Sequence, residues 1–299
     1  MYVATLIAAD GLNAGHISAA RDRLREAGCA PLAEWAWLDS GIAADIAFGL
    51  APAAARDALE DAFTGTDVVV QPVAARAKRL LVADMDSTMI TVECIDELAD
   101  YAALKPQIAA VTEAAMRGEL DFGAALDARV ALLAGLDEAV IDRCLAERVT
   151  PTPGARTLVR TMRARGARTV LVSGGFTRFA APVAAKLGFA RVVANTLLIE
   201  RGRLTGAVAR PIVDAATKLA VLQEERATRA IDAAETLAVG DGANDLPMIR
   251  AAGLGVAFRA KPVVAAAAGA RIVHGDLTAL LYAQGIARTD WVDDAPTAR

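Results

Sequence analysis

The spacing of hydrophobic and polar residues divides the chain into three parts. In the first part, residues 1–75, short apolar runs alternate with segments in which apolar residues recur every three or four positions. The predicted strands cover 2–9, two runs around Ser40-Gly41 within 32–50, and 67–73, and the predicted helices cover 16–27 and 51–63. This βαββαβ order predicts a separate α+β domain of the ferredoxin-like kind.

The second part, from Val92 to Arg148, has helical spacing that no strand pattern interrupts. Breaks near Lys105-Pro106, Gly118 to Asp121 and Gly135 to Asp137 divide it into about four helices. Because this part follows a strand and precedes renewed strand–helix alternation, we expect a helical insertion at about 92–150. We expect it to cover the end of the preceding strand as a cap.

The third part begins after Pro151, Pro153 and Gly154, which mark a return to alternating helices and strands. Helices are predicted at 155–165, 177–187 and 215–226, strands at 167–175, 191–199, 235–240, 254–258 and 271–274, and a hairpin turn at Arg201-Gly202-Arg203. This alternation predicts a doubly wound parallel α/β sheet, with the core at 76–284. The polar segment 285–299 is expected to be a flexible tail.

Composition narrows the class of protein. Hydrophobic residues make up 55% of the chain and the mean hydropathy is +0.36, yet much of this is alanine. No stretch approaches 18 consecutive strongly apolar residues, so we expect no membrane association. The N-terminus lacks the basic leader of a secretory signal, which predicts a cytoplasmic protein. Three widely spaced cysteines indicate neither disulfides nor a zinc site, and 32 basic against 36 acidic residues indicate no nucleic-acid surface.

The first candidate for chemistry is LLVADMDSTMI, Leu80 to Ile90. Four apolar residues run directly into Asp84 and Asp86, which share one face of an extended strand. Two carboxylates about 4 Å apart repel by roughly 4 kcal/mol at an effective dielectric near 20, so we expect a cation between them. Taken alone, the stretch is explained as well by helix capping, since Asp, Ser and Thr are ordinary capping residues.

Two later strands also end in polar groups. Ser173-Gly174-Gly175 offers a hydroxyl and unobstructed backbone N–H groups, which suit a phosphoryl oxygen. GDGAND brings Asp241, Asn244 and Asp245 together, and Lys218 begins the helix between these two strands. Each feature alone is typical of a turn, a loop or a solvated lysine. Together they predict one site, because open α/β sheets bind ligands at the carboxyl ends of their strands.

In this order and spacing, DMDST, ECIDELA, VSGGF and VGDGAND resemble the haloacid dehalogenase superfamily, and in particular its phosphoserine phosphatase branch. The resemblance covers about residues 79–283. It implies magnesium-dependent hydrolysis of the small molecule O-phospho-L-serine, the last step of serine biosynthesis. The first 75 residues resemble, by element order only, the ACT-type modules that pair and bind amino acids, which implies a homodimer formed through this domain.

The resemblance also implies roles for individual residues. Asp84 matches the nucleophile that forms an aspartyl-phosphate, and Asp86 matches the general acid and base. Magnesium is expected on the Asp84 carboxylate, the Asp86 backbone carbonyl and Asp241, while Asp245 supports the metal site and Thr88 steadies the Asp84 loop. The residues that match the phosphate-binding groups are Ser173, Gly174, Lys218 and Asn244.

The resemblance assigns substrate selection to the cap. Glu93 matches the residue that binds the substrate ammonium, and Arg129 matches the one that binds its carboxylate by a bidentate contact. Met116 and Phe122 match positions that line the pocket. Exposed helix charges and buried apolar residues are the simpler interpretations of these four side chains. Met85 occupies a position where Phe is also common in the family, which puts no catalytic residue in doubt.

Two classes of function follow from these observations. The first is a phosphatase of phosphoserine or of another small phosphomonoester. The second is a non-enzymatic amino-acid sensor, in which the N-terminal module binds the ligand and the α/β domain is a scaffold. The presence of all four central charged residues, Asp84, Asp86, Lys218 and Asp241, favours the enzyme.

Overall fold

A computed structural model describes residues 1–116 and 119–292, without the side chains of residues 115 and 116. The N-terminal part forms a four-stranded antiparallel sheet with the strand order β2-β3-β1-β4. Its elements are β1 Tyr2–Ala8, α1 Ala14–Glu26, β2 Pro31–Asp39, β3 Ala43–Phe48, α2 Pro52–Leu59 and β4 Thr66–Pro72. This arrangement fits the predicted ACT-like α+β domain.

Both faces of the N-terminal sheet are apolar. Successive side chains of a strand point to opposite faces, so Leu6 of β1 packs with Ile17 and Leu24 of α1, whereas Ile7 joins the hydrophobic core of the second sheet. The pattern therefore places two helices on one face and the rest of the protein on the other.

The second sheet is parallel and has six strands in the order β12-β11-β10-β5-β6-β7. These strands are β5 Leu80–Ala83, β6 Arg168–Phe176, β7 Arg191–Asn195, β10 Thr236–Gly240, β11 Leu254–Phe258 and β12 Ala270–Ile272. Every residue of β5 and β10 is buried. Strands covered on both faces have such continuous apolar runs, which is why the sequence shows them clearly.

Helices cover both faces of this sheet. They are α7 Ala155–Ala164, α8 Thr177–Leu187, α9 Ala215–Arg229, α10 Leu246–Ala251, α11 Pro262–Ala267 and α12 Ala279–Ala283. The last three have only five or six residues each, too few for helical periodicity to reveal them in the sequence. The predicted strand at 191–199 is interrupted after β7, and its second half pairs with a further strand as a hairpin, β8 Leu197–Glu200 with β9 Arg203–Val208.

The insertion between β5 and α7 is helical, as predicted. It contains α3 Cys94–Tyr101, α4 Lys105–Met116, α5 Phe122–Ala131 and α6 Ala139–Arg148. Its two connections to the core meet at an antiparallel bridge between Ile90 and Pro151, and α5 packs against β9. The doubly wound sheet with its helical cap confirms the predicted α/β fold class. No helix within 1–116 or 119–292 is long and apolar enough to cross a membrane.

Several charged residues attach the N-terminal part to the core, among them Asp67 and Arg76. The buried carboxylate of Asp67 on β4 accepts backbone N–H groups of Val273 at 2.8 Å and Gly275 at 2.7 Å, just beyond β12. Arg76 forms an ion pair with Asp45 and donates to the carbonyl oxygen of residue 283 at 2.8 Å. The division of the chain into domains at 1–75 and 76–284 stays a prediction.

Residues 285–292 differ from the flexible tail expected at 285–299. Ile286 is buried, the Trp291 ring lies 4.8 Å from that of Tyr282, and the Val292 N–H donates to Thr161 Oγ1 at 2.9 Å. The composition of the segment is polar, but Ile286 and Trp291 pack on the core. Residues 293–299 lie outside the described part of the chain.

Asp67→Ala tests the attachment of the N-terminal sheet. Removing this carboxylate leaves buried N–H groups unpaired, and a hydrogen bond to a charged group contributes about 1.5–3 kcal/mol, so the free energy of unfolding should fall by about 2 kcal/mol in urea titrations. Asp22→Ala is the control, because Asp22 forms an exposed ion pair with Arg25 whose loss should cost less than about 1 kcal/mol. Equal losses in both variants would contradict a structural role for Asp67.

Candidate active site

Three neighbouring strands, β10, β5 and β6, bring the predicted site residues to one edge of the parallel sheet. Asp84 follows β5 directly, and its N–H donates to the carbonyl oxygen of Val239 on β10 at 3.0 Å, which prolongs the strand pairing. Asp241 follows β10, and Ser173 lies near the end of β6. The carboxyl ends of parallel strands lie at the same edge, so residues up to 157 positions apart become neighbours.

Lys218 is the central cation of this site. It lies in the first turn of α9, whose N-terminus is capped by Asp214, and its side chain is fully buried. Its Nζ donates to Asp84 Oδ1 at 2.5 Å and to Asp245 Oδ1 at 2.7 Å. Burial lowers the pKa of Lys218, but the charges and hydrogen bonds of the two carboxylates outweigh it and raise the pKa above its ordinary value. Lys218 therefore stays positively charged in the buried site.

Asp86 lies in the loop that follows Asp84 and is held on both carboxylate oxygens. Oδ1 accepts the backbone N–H of Cys94 at 2.9 Å, and Oδ2 accepts the Ser173 hydroxyl at 3.1 Å. Desolvation raises the pKa of Asp86, although these two hydrogen bonds oppose the shift. A carboxyl group with a raised pKa can carry a proton nearer to neutral pH, as a general acid must.

Gly175 and Gly240 allow the carboxylates to approach the backbone closely. A Cβ atom at Gly175 would lie 2.7 Å from Asp86 Oδ2, and one at Gly240 would lie 2.3 Å from Asp245 Oδ2. Both distances are too short for an unshifted side chain. Glycine is thus required by this packing at both positions, two residues after Ser173 and directly before Asp241.

The carboxylates of Asp84, Asp241 and Asp245 form an acidic cluster, in which one oxygen of each lies within 4.8 Å of the others. Thr88 Oγ1 donates to Asp241 Oδ1 at 2.8 Å. Desolvation raises the pKa of Asp84 and of Asp241, because these carboxylates are largely removed from water. The negative charge of Asp245 raises both pKa values further. With Asp86, four carboxyl groups lie around the buried ammonium of Lys218, so this cluster suits a divalent cation that prefers oxygen ligands.

The cap places two opposite charges near this cluster. Glu93 precedes α3 and accepts the Ser87 hydroxyl at 2.7 Å; desolvation, together with the charge of Asp86, raises its pKa to about 7. Arg129 on α5 is half-buried, which lowers its pKa, while the charges of Asp96 and Glu93 oppose that shift. The charge of Glu93 thus acts on Arg129, whose Nε donates to the carbonyl oxygen of Ala125 at 3.2 Å.

Helix α5 also contacts the core side of the site. A Cβ atom at Gly174 would lie 3.2 Å from the ring of Phe122, the first residue of α5. Arg129 follows seven residues later, which is about two helical turns, so it lies on the same face of the helix about 10 Å away. The face of α5 that covers Gly174 therefore also presents the guanidinium.

The remaining predicted residues are placed as follows. Asn244 is half-buried on the short turn Ala243–Asp245, beside Gly242. Met116 ends α4, and its side chain lies outside the described residues. Met85, in the loop that follows Asp84, is fully buried.

Several contacts of the site were not predicted from the sequence. They involve the Ser87 hydroxyl, the Cys94 N–H, the charge of Asp96, and the buried amide of Asn195. Ser87 and Cys94 flank residues that the motifs do identify, but nothing in their type signals these hydrogen bonds. Asn195 had one usable signal, a polar residue within the apolar run RVVANTLLI.

Comparisons with known proteins show which family this chain belongs to. The family model of haloacid dehalogenase-like hydrolases matches residues 81–250. A relative from Streptomyces coelicolor, named phosphoserine phosphatase, is 50% identical over 237 residues, which cover 78% of this chain and 57% of the relative. The chain therefore spans a little more than half the length of that relative.

Solved structures show the same relationship. A HAD family hydrolase from Salmonella enterica serovar Typhi has a TM-score of 0.82 and 30% identity, and the match covers 94% of this chain and 97% of that one. A structure described as a phospho-aspartyl intermediate analogue of phosphoserine phosphatase has a TM-score of 0.64 and 36% identity, with 69% of this chain and 98% of that one covered. The first of these matches extends over nearly the whole chain, including the N-terminal sheet.

Proposed function

Because this chain belongs to the haloacid dehalogenase-like hydrolase family, we propose that it hydrolyses O-phospho-L-serine to L-serine and phosphate through an aspartyl-phosphate, the last step of serine biosynthesis. One observation carries the choice of substrate. The cap carries a carboxylate, Glu93, which is hydrogen-bonded to Ser87 in the loop after β5, and a guanidinium, Arg129, on which the charge of Glu93 acts. These charges complement the ammonium and carboxylate of an amino acid whose phosphoryl group lies in the core.

The residues of the acidic cluster fit a magnesium ion. Magnesium prefers oxygen ligands and is commonly bound by one or two carboxylates, and the cluster offers oxygens from three aspartates within 4.8 Å. In this proposal the Asp84 and Asp241 carboxylates and the Asp86 backbone carbonyl hold the ion, and Asp245 and Thr88 support them. When bound, magnesium supplies positive charge that offsets the repulsion between an anionic nucleophile and an anionic phosphate.

The chemistry then divides between the first two aspartates. A carboxylate oxygen of Asp84 attacks phosphorus, and the bond from phosphorus to the serine oxygen breaks. Asp86 gives its proton to that oxygen as it leaves. In the second step Asp86 takes a proton from water, the water oxygen attacks the aspartyl-phosphate, and phosphate leaves with Asp84 restored. The hydrogen bond from the Cys94 N–H orients Asp86 for both transfers. The Ser173 hydroxyl, which donates to Asp86 in the free site, turns to a phosphate oxygen when the substrate binds.

The phosphate oxygens need donors that are already in place, since charge stabilisation dominates phosphoryl transfer. We assign this task to the Ser173 hydroxyl, the Gly174 N–H, the Lys218 ammonium and the Asn244 amide. Lys218 is suited to it because its buried contact with Asp84 fixes the ammonium beside the nucleophile. Phe122 closes the pocket over Gly174, and Met116 is proposed to line it from the cap.

Three further expectations accompany this proposal. We propose a homodimer formed through the N-terminal sheet, where β2 is an edge strand and offers backbone groups for pairing. Light scattering after size exclusion would measure the assembly.

The cytoplasmic location and the absence of a nucleic-acid partner stay predictions. Assays with other small phosphomonoesters would test the broader phosphatase alternative, and loss of all hydrolysis would favour the sensor.

Phosphate release from phosphoserine tests the function and the metal together. Activity should require added Mg²⁺ and should disappear with EDTA. Asp241→Asn weakens one ligand, so it should raise the Mg²⁺ concentration for half-maximal activity by about ten-fold or more. Asp232→Asn is the control, because Asp232 is exposed at the opposite end of β10. Full turnover in EDTA would rule out the metal-dependent mechanism.

The two aspartates of the motif should fail differently when each is changed to asparagine. Asp84→Asn lacks the nucleophile and should lose all turnover. Asp86→Asn keeps the nucleophile but cannot protonate the leaving oxygen, so it should retain slow activity toward p-nitrophenyl phosphate, whose leaving group needs no proton. Steady-state rates on both esters measure this. Substantial phosphoserine hydrolysis by Asp84→Asn would reject the covalent mechanism.

Arg129→Ala and Glu93→Gln test the substrate. A hydrogen bond to a charged group contributes about 1.5–3 kcal/mol, so kcat/KM for phosphoserine should fall roughly ten- to a few hundred-fold in each variant. Turnover of p-nitrophenyl phosphate, which has neither an ammonium nor a carboxylate, should hardly change. Arg143→Ala, on the exposed surface of α6, should leave both substrates unaffected. Parallel losses on both substrates would mean that the cap residues serve folding or closure instead.

A further inference from the structure

Asn195 is a buried polar residue for which the proposed mechanism has no role. It ends β7, is 2% exposed, and pairs across the sheet with Phe176 at the end of β6. A buried side-chain amide must find partners for its two N–H donors and its carbonyl oxygen. The identity of these partners therefore shows which segments Asn195 holds in place.

The amide of Asn195 joins two separate loops. Its Nδ2 donates to the carbonyl oxygen of Gly174 at 2.8 Å and to that of Val213 at 3.5 Å, while Oδ1 accepts the Val213 N–H at 2.7 Å. Both backbone polar groups of Val213 are thus paired with one side chain, much as a neighbouring strand would pair them. The loop that carries Ser173 and Gly174 is tied to the segment before α9.

The segment tied in this way determines where Lys218 lies. Val213 is followed by Asp214, which caps α9 and accepts the Lys218 N–H on its carbonyl oxygen at 3.0 Å. The cap rests on the same segment, since a Cβ atom at Gly123 of α5 would lie 3.3 Å from Cδ1 of Ile212. The Asn195 amide therefore joins the loop that carries Ser173 and Gly174 to the segment that precedes Lys218. The cap helix α5 rests on that same segment through Ile212.

We propose that Asn195 is a positioning residue for the phosphoryl group. It sets the distance between the Gly174 N–H and the Lys218 ammonium, the two donors assigned to phosphate, without touching the substrate. This inference rests on the phosphatase function proposed above. A purely structural Asn195 would contribute to stability and leave the donors of the folded enzyme where they are.

Asn195→Leu provides the test, because leucine has a similar volume and no hydrogen-bonding group. Displaced donors should lower kcat/KM about ten- to a hundred-fold, by the same factor for phosphoserine and p-nitrophenyl phosphate. The inhibition constant for inorganic phosphate should rise to a similar extent. Asn13→Leu is the control, since Asn13 is an exposed helix cap. A folded Asn195→Leu with unchanged kcat/KM and unchanged phosphate inhibition would overturn the inference.

A measurement on the unaltered protein decides the matter if Asn195→Leu does not fold. The chain has three asparagines, Asn13, Asn195 and Asn244. Labelling with asparagine that carries ¹⁵N in its side chain therefore yields three pairs of side-chain amide signals, which Asn13→Leu and Asn244→Ala assign. Inorganic phosphate with Mg²⁺ should shift the Asn244 and Asn195 signals and leave that of Asn13 in place. A shift of Asn244 alone would overturn the inference, whereas no shift together with no hydrolysis would overturn the phosphatase function itself.

Discussion

The buried ammonium of Lys218 between Asp84 and Asp245 is the interaction on which the rest of the site depends. Removing three charges from water is costly, and their attraction offsets that cost only when the geometry of all three is maintained. The three residues come from the end of β5, the turn after β10 and the first turn of α9. Two strand ends and a helix start must therefore be in register before the charges can be buried. That register also aligns Asp86, Ser173 and Asp241.

In the proposed function, the architecture separates phosphate chemistry from substrate selection. Groups on the rigid parallel sheet surround the position proposed for phosphorus, whereas the charges proposed for the amino acid lie on a helical insertion joined to the core by two connections. Helix α5 links the two tasks, because one face carries both the ring that covers Gly174 and the guanidinium of Arg129. The same helix rests on Ile212, and α9, which carries Lys218, also contacts this residue.

The N-terminal sheet contacts the core near the same edge. Asp67 binds the backbone just beyond β12, and Arg259 beyond β11 donates to Gly275 in that segment at 3.1 Å. Two residues further on, the Lys261 N–H donates to the carbonyl oxygen of Asp241 at 3.3 Å. A continuous set of contacts thus runs from the N-terminal sheet to the loop that carries an aspartate of the acidic cluster.

The sequence by itself determined the alternation of strands and helices, the helical insertion, and the strand-end positions of Asp84, Asp86, Ser173 and Asp241. These features depend on local periodicity and on short motifs, which are readable over ten or fifteen residues. Only the tertiary structure decided the partners of Cys94 N–H and Asn195, the burial of Lys218, and the packing of Ile286 and Trp291. Those contacts join side chains to atoms distant in sequence, often backbone atoms, and no local pattern encodes which groups meet. Folding brings them together because a buried polar group must find a partner wherever the register of the sheet provides one.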